Sequence, residues 1–253
     1  MTLSKRNRQR SFFKLFSFVI SILAFITNGT SQGIFASQQD LQHYQDTLEM
    51  WEEPRHQLVF SKDDIKVMDI RVPPGDTTEF HLHRYPTIYV VINRVIMSQQ
   101  DFGEEWTPPS TVASPGIDVS SPGQIIDLSQ QYITQNTYHR VANLDSSTFH
   151  FIGILSTRDS KEITDDPDMV LENEWFAAYR LELNAHSSSQ QFTFDSPTLL
   201  IQYTKGESHI LEHKIRHSHK TEAGSFSWHE SNTPFVVENS DNKSIGFVVV
   251  AAK

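Results

Sequence analysis

Two stretches of this sequence recur later in the chain with their histidines replaced by phenylalanines. Residues 81–92 read HLHRYPTIYVVI, and residues 192–203 read FTFDSPTLLIQY. In the same way, residues 136–145 (NTYHRVANLD) are echoed by residues 232–241 (NTPFVVENSD). The chain therefore reads as one structural unit built twice, with these histidines in the first copy only.

The replaced histidines form three pairs with the phenylalanines: His81 with Phe192, His83 with Phe194, and His139 with Phe235. A lone histidine in a strand is usually structural, but side chains that are lost together are expected to act together. Three imidazoles are a frequent ligand set for a transition metal ion, and they leave open positions for water, O2 or a substrate. The pattern therefore predicts a metal site in the first copy.

The spacing of the histidines indicates how they could meet. His81 and His83 are two residues apart, so in a β-strand both side chains point to the same side, together with that of Glu79. His139 must then come from another strand that crosses the same interior. Glu79 is the nearest spare carboxylate, and it would serve as a fourth ligand or a base, or else lie in water at the edge of the site. The residues expected to orient a substrate are Glu79, Arg84 and Tyr85.

The rest of the chain predicts β-structure around this site. After Pro54 the sequence alternates or runs apolar in short stretches that are separated by turn residues, and no long amphipathic helix is evident. Many short strands of this kind indicate an antiparallel sandwich or barrel. Residues 101–124 are rich in Pro, Ser and Gly, and we expect them to form a long loop that acts as a lid over the site.

The sequence divides into five predicted segments: a signal peptide (1–36), an N-terminal arm or short helix (37–53), a metal-binding domain (54–158), an acidic linker (159–174) and a degenerate second domain (175–253). The first segment has a basic start, an apolar run over residues 15–26 and small residues near position 36, as in a secretory signal peptide. We therefore expect a secreted or periplasmic protein. An uncleaved membrane anchor is the alternative, although the apolar run is short for a span of about 20 residues.

Composition excludes several classes of function. The net charge is −10 and no long basic run follows residue 14, so nucleic acid is not expected as a partner, and neither is a membrane once the signal is removed. The chain has no cysteine, which rules out disulfides, thiolate metal ligands and a cysteine nucleophile.

The motifs resemble those of the cupin superfamily. Gly75-(x5)-His81-x-His83 and His139-(x3)-Asn143 are similar to its first and second motifs, and the resemblance covers both halves of the chain. It implies an all-β fold of two tandem double-stranded β-helix (jelly-roll) barrels, with the metal inside the first and the second degenerate. Cupins usually add a glutamate three to five residues after the second histidine. Residues 86–88 are Pro, Thr and Ile, so the site resembles the three-histidine subset of the family.

The resemblance implies two classes of function. The first is a metal-dependent enzyme that acts on a small molecule, with Fe(II) chemistry like that of the thiol and diketone dioxygenases as the leading mechanism. Neutral imidazoles also suit Zn, Ni, Mn and Cu, so these metals remain alternatives. The second class is a non-enzymatic cupin that binds a small ligand or a metal. We also expect a homodimer, because the open edges of a jelly roll need covering.

A second histidine cluster competes with the first. It consists of His209, His213, His217 and His219. As a single strand, this segment would direct all four imidazoles to one side, which predicts a barrel rim with titratable groups or, less directly, a metal or pH-responsive site. His56 has no evident partner in the sequence.

Overall fold

The computed structural model describes residues 47–253, apart from residues 115, 116, 119, 164–168 and 220. The predicted signal peptide and most of the N-terminal arm lie outside this part of the chain. Within it, no helix is long and apolar enough to cross a membrane.

The first half of the described chain is almost entirely β-structure. Its elements are β1 (Leu48–Glu49), β2 (His56–Lys62), β3 (Ile65–Val72), β4 (His81–His83), β5 (Thr87–Val91), β6 (Met97–Asp101), β7 (Val112–Ser114), β8 (Ile117–Asp118), β9 (Ile125–Asp127), α1 (Ser129–Thr134), β10 (Thr137–Asn143) and β11 (Phe149–Ser156). They form a four-stranded sheet in the order β1-β4-β10-β6, a five-stranded sheet in the order β2-β3-β11-β5-β9, and a small β7-β8 hairpin.

The second half repeats this plan. Its strands are β12 (Leu171–Glu172), β13 (Phe176–Leu183), β14 (Thr198–Gln202), β15 (Ser208–Glu212), β16 (Ile215–Ser218), β17 (Phe226–His229), β18 (Phe235–Asn239) and β19 (Ile245–Ala252). The five-stranded sheet β12-β13-β19-β14-β17 corresponds strand for strand to the five-stranded sheet of the first half, and a three-stranded sheet β16-β15-β18 accompanies it.

Strand register supports the alignment of the two copies. In the first half, β10 pairs with β4 so that His139 lies opposite His81. In the second half, an antiparallel bridge joins Phe235 to Phe192. The residues that the sequence repeat makes equivalent therefore meet at the same point of each half.

Alternation along the central strands creates a core on both faces of each five-stranded sheet. In β5, Tyr89 and Val91 face the interior of the first half. Ile88 and Val90 face the opposite way and join a cluster that includes Leu199 and other residues of the second half. Every residue of β11 and of β19 is buried, because both faces of these strands are covered. Both sequences are accordingly rich in apolar residues, although β11 also buries His150 and Ser156. Burial of one such large aliphatic side chain contributes roughly 1.5–3 kcal/mol.

Three local features differ from the sequence-based expectations. The arm contributes a strand, β1, which pairs with β4, and the predicted linker contains β12, which pairs with β13. The six-residue helix α1 has no side-chain N-cap and no acidic residue in its first turn, so it lacks the signals by which a helix start is recognised in a sequence.

Candidate metal centre

Two neighbouring strands bring the three predicted ligands together. His81 and His83 lie on β4, and His139 lies on β10 directly opposite His81. All three are buried. One ligand atom from each forms a group in which the atoms lie within 4.8 Å of one another. Alternation along β4 and antiparallel pairing with β10 therefore suffice to gather these imidazoles on one face.

The hydrogen bonds of the ligands fix their orientation. The Nδ1–H of His81 donates to the backbone carbonyl of Glu79 (2.8 Å), which leaves Nε2 as the lone-pair nitrogen. That Nε2 and the Nδ1 of His139 are buried with no hydrogen-bond partner in the described part of the chain. The Nε2 atoms of His83 and His139 lie 2.9 Å apart. A buried cluster of imidazole nitrogens, in which the lone pair of His81 has no hydrogen-bond partner, is suited to a cation.

Burial keeps these imidazoles neutral. Loss of hydration lowers the pKa of His81 and of His83 well below the ordinary value, and neighbouring histidines lower it further. Burial likewise lowers the pKa of His139 to about 3, while the carboxylate of Asp101 acts in the opposite direction. A metal binds the neutral form of histidine, so the site holds its ligands in the competent protonation state.

A fourth histidine, His56, lies beside the cluster and had no evident partner in the sequence. Its ring packs edge-on against that of His81, with centroids 4.4 Å apart, but it lies farther from His83 (6.4 Å). Its Nδ1–H donates to the backbone carbonyl of Met50 (2.9 Å), and burial lowers its pKa to about 3. His56 is the first residue of β2. Its distance in sequence from the other three histidines matches no known motif, so its place beside them could not be predicted from the sequence.

Two tyrosines contact the ring of His83. The hydroxyl of Tyr89 lies 3.2 Å from the Nδ1 of His83 and 3.3 Å from the hydroxyl of Tyr132. Tyr132 belongs to α1, and its ring lies over the ring of His83 with centroids 4.5 Å apart. When His83 offers Nε2 to a metal, Nδ1 carries the proton and donates to Tyr89. When Tyr89 in turn donates to Tyr132, the hydroxyl proton of Tyr132, a residue that lines the cavity, is not used by either of these two groups.

The imidazoles line a cavity whose remaining wall is mainly apolar. The apolar and aromatic lining residues are Ile70, Tyr89, Met97, Ile126, Leu128, Tyr132, Val141, Phe149 and Phe151. Its other polar lining residues are His56, Gln99, Gln131 and Thr137. Concave, mostly apolar sites with a few convergent polar groups are typical of small-molecule binding.

The three residues expected to orient a substrate do not line this cavity. Because β4 begins only at His81, strand alternation does not extend to Glu79, and its side chain is exposed. Arg84 is also exposed and forms an ion pair with Glu49, while its guanidinium lies over the ring of Tyr85 (5.4 Å). Tyr85 packs against Trp51. The direct contribution of Glu79 to the site is its backbone carbonyl, which holds His81.

The residues that line the cavity do not support the expectation that residues 101–124 act as a lid over the site. Among residues 101–124, none whose side chain is described lines the cavity. The loop instead contains the β7-β8 hairpin, and its Trp106 ring lies against the guanidinium of Arg140 (4.9 Å). Helix α1 instead lines the cavity, through Gln131 and Tyr132.

The second histidine cluster does not converge, and the prediction of one shared face is wrong. The segment turns at His213 and Lys214, which both have positive φ angles (51° and 64°), and becomes the β15-β16 hairpin. His209 lies opposite Ser218, whereas His217 lies opposite Ile210. Since directly opposite residues share a face and neighbouring positions alternate, His209 and His217 point to opposite sides.

The phenylalanines of the second copy fill the corresponding place with packed rings. Phe192 stacks on Phe194 with centroids 6.1 Å apart and contacts Phe235 (5.6 Å). His229 stacks on Phe235, with centroids 3.9 Å apart. At the position where the first half has its three imidazoles, the second half therefore has three packed phenylalanine rings.

Comparison with known proteins identifies the fold. No protein-family model matches the sequence, and no curated protein matches it. Among solved structures, AerE from Microcystis aeruginosa is similar, with a TM-score of 0.53 and 13% identity over 79% of this chain and 98% of AerE. Salicylate 1,2-dioxygenase from Pseudoaminobacter salicylatoxidans, solved with gentisate, has a TM-score of 0.51 and 8% identity over 75% of this chain and 68% of its own.

These likenesses show the fold and no more, because the identities are low. The chain has the cupin fold, as its motifs implied, and the cluster of His81, His83 and His139 fits a cupin metal site. The AerE match covers more of the chain than either half contains, so the likeness extends over both copies.

Proposed function

We propose that this chain is a metal-dependent cupin protein that holds one divalent transition metal ion with His81, His83 and His139 and acts on a small molecule. The observation that carries the proposal is the convergence of three buried, neutral imidazoles, within 4.8 Å of one another, on an apolar cavity. The donor set fits such an ion, since neutral imidazoles suit first-row transition metals.

Iron is the first candidate for the metal, and oxidation by O2 is the first candidate for the chemistry. When bound, Fe(II) would supply the redox activity that no protein side chain provides. Zn, Ni, Mn and Cu are the alternatives that the same ligands accept. Support for iron comes from the shared fold with salicylate 1,2-dioxygenase, which is a likeness of architecture at low identity.

The chain's own residues would bind and orient the small molecule and exclude water from it. The carbonyl of Glu79 holds the ring of His81, and Tyr89 holds that of His83. The apolar wall, with residues such as Phe149 and Phe151, removes water from the bound molecule and strengthens polar contacts within the site. Tyr132 would donate a hydrogen bond to that molecule.

The second candidate function is ligand or metal binding without catalysis. It is favoured by the absence of any Asp, Glu, Lys or Arg among the cavity-lining residues that the structure describes. The expected base, Glu79, has an exposed side chain. An enzyme with this site would therefore rely on the metal and on neutral groups for proton handling.

The proposal also covers the export of the protein, its division into domains and its oligomeric state. We propose that residues 1–36 direct export to the periplasm or the exterior, that residues 54–158 and 175–253 each form one jelly-roll barrel, and that the chain forms a homodimer. The composition of the first segment and the repeated sheet order support the first two statements. N-terminal sequencing of the protein recovered from outside the cytoplasm tests the export step.

Reconstitution distinguishes the two candidate functions. Metal-free protein would be loaded anaerobically with Fe(II), Zn(II), Ni(II), Mn(II) or Cu(II) in turn and mixed with small oxygen-containing molecules. An enzyme should consume O2 only when loaded with a redox-active metal, and the His139→Phe variant should not. A ligand that raises the melting temperature without O2 uptake for any metal would favour the binding protein instead.

A further inference from the structure

The charges around the cavity restrict what can bind in it. We propose, resting on the proposed function, that the site takes a small molecule that is ionised only at the end that meets the metal and is uncharged elsewhere. An aromatic or aliphatic body with a neutral polar group would fit, whereas a second anionic group, such as a carboxylate on the far end, would be excluded.

The first observation is the composition of the wall. Among the described residues that line the cavity, every polar side chain is an imidazole, an amide or a hydroxyl. No Lys or Arg is present there to receive a carboxylate, and neutral donors compensate the burial of an anion less well than a cation does. The metal would be the only cation in the site, so it can neutralise only the group that binds it.

The second observation is that the nearby cations are engaged elsewhere. The guanidinium of Arg55 forms a two-point contact with the carboxylate of Asp76, with distances of 2.9 and 3.0 Å. Arg84 is paired with Glu49. Arg140 lies over the ring of Phe80 (4.7 Å). None of these three side chains lines the cavity, so none can turn to a bound anion without losing its present contact.

The third observation concerns two acidic residues near the ligand strands. Asp101 on β6 lies directly opposite His139 in the strand register. Glu53 is almost fully buried and accepts the backbone N–H of Glu79 (3.1 Å). Glu53 also pairs with Arg55 (3.4 Å), and neither carboxylate lines the cavity, so these groups offer a second anion no favourable partner.

The fourth observation is a hydrogen-bond donor suited to a neutral oxygen. When His83 donates to Tyr89 and Tyr89 donates to Tyr132, the hydroxyl proton of Tyr132, which lines the cavity, is available to a bound carbonyl, amide or hydroxyl. One such donor can orient a neutral group, but it does not compensate the burial of a full charge.

The test compares two ligands that share the same metal-binding group and differ only in the group at the other end. The compounds are 3,4-dihydroxybenzamide and 3,4-dihydroxybenzoate, which share the catechol head and differ in the charge of the distal group. Both would be titrated anaerobically into Co(II)-loaded protein, with the visible spectrum of cobalt as the readout. We expect the amide to bind at least about tenfold more tightly than the carboxylate.

A variant that adds a cation to the wall should reverse the preference. Gln131 lines the cavity from α1, so Gln131→Arg should raise the affinity for the carboxylate and leave that for the amide nearly unchanged. The matched control is Gln130→Arg, which adds the same charge at an exposed neighbouring position outside the cavity and should change neither affinity.

The outcomes separate this inference from the proposed function. Protein that fails to bind cobalt would overturn the proposed function and this inference with it. Protein that binds cobalt but takes the carboxylate as tightly as the amide would overturn this inference alone. Cobalt-loaded protein whose spectrum responds to neither compound would also overturn it, because the cavity would then not admit the neutral molecule.

Discussion

The Nε2 atoms of His83 and His139 lie 2.9 Å apart, although 56 positions separate the two residues in the chain. Both side chains are buried, and the pairing of β4 with β10 brings their rings together nearly at right angles, with centroids 4.7 Å apart. Two neutral imidazoles in this arrangement either share one proton or direct both lone pairs at a common cation. The second arrangement leaves His81 free to supply the third lone pair, and it is the basis of the proposed metal centre.

The phenylalanines of the second copy predict the effect of removing a ligand. We expect His139→Phe to lose the metal and to remain folded, since Phe235 is buried at the equivalent position. Because the change removes a buried nitrogen that has no partner, the metal-free variant should be as stable as the parent protein or more stable by about 1 kcal/mol. Urea unfolding and metal analysis measure the two effects, and a variant that retains metal would contradict the ligand assignment.

The contact between Tyr89 and His83 predicts a supporting role in metal binding. Tyr89→Phe removes the hydroxyl that accepts from the Nδ1 of His83, so we expect metal affinity to fall by about tenfold or more, with the fold retained. Competition with a chelator of known affinity measures the change. Tyr138→Phe is the control, because Tyr138 packs with Phe80 and Phe102 rather than in the cavity. Equal losses in both variants would argue against a specific contact.

His56 should prove to be a neighbour of the metal centre and not a ligand. We expect His56→Asn to retain about one equivalent of metal, whereas His81→Asn should lose it, since only His81 belongs to the converging group. The first variant should still lower the free energy of unfolding by about 1–2 kcal/mol, because it disrupts a buried hydrogen bond to Met50. Loss of metal from His56→Asn, with the protein still folded, would show that His56 is a ligand.

The buried imidazoles should make the metal-free protein sensitive to acid. Burial lowers the pKa of His56 and of His139 to about 3, against about 6.5 in the unfolded chain. Between these values the unfolded chain binds a proton that the folded protein does not, so the free energy of unfolding falls as pH drops below about 6.5. The expected loss is up to about 1.4 kcal/mol per pH unit for each histidine.

Urea unfolding of metal-free protein at a series of pH values measures this dependence. The His139→Phe variant is the matched control, and it should lose stability less steeply in acid because one of the titrating groups is gone. An identical dependence in the variant and the parent protein would contradict the assignment of the acid sensitivity to the buried cluster.

The sequence predicted the features that follow from strand periodicity and from the repeat. Alternation placed His81 and His83 on one side, and the echo of 136–145 in 232–241 placed His139 at a matched position. The structure brings these three together and pairs Phe192 with Phe235 in the other copy. Such features depend on local spacing, which a single sequence records.

The features that were missed depend on where elements begin and on long-range packing. Glu79 was expected on the histidine face, but β4 begins at His81, so alternation does not reach it. The four histidines from His209 to His219 were expected on one strand, but a turn of positive φ at His213 divides the segment. His56 comes close to His81 only through the packing of β2 and the arm, which no spacing in the sequence encodes.

The most direct test of the metal centre is elemental analysis of the protein from residue 37 onward, purified without an affinity tag. It would be compared with a variant in which His81, His83 and His139 are all replaced by Phe, as in the second copy. We expect about one equivalent of a transition metal in the parent protein and none in the folded variant. Equal metal content in the two proteins, or no metal in the parent protein after loading with each candidate ion, would contradict the account.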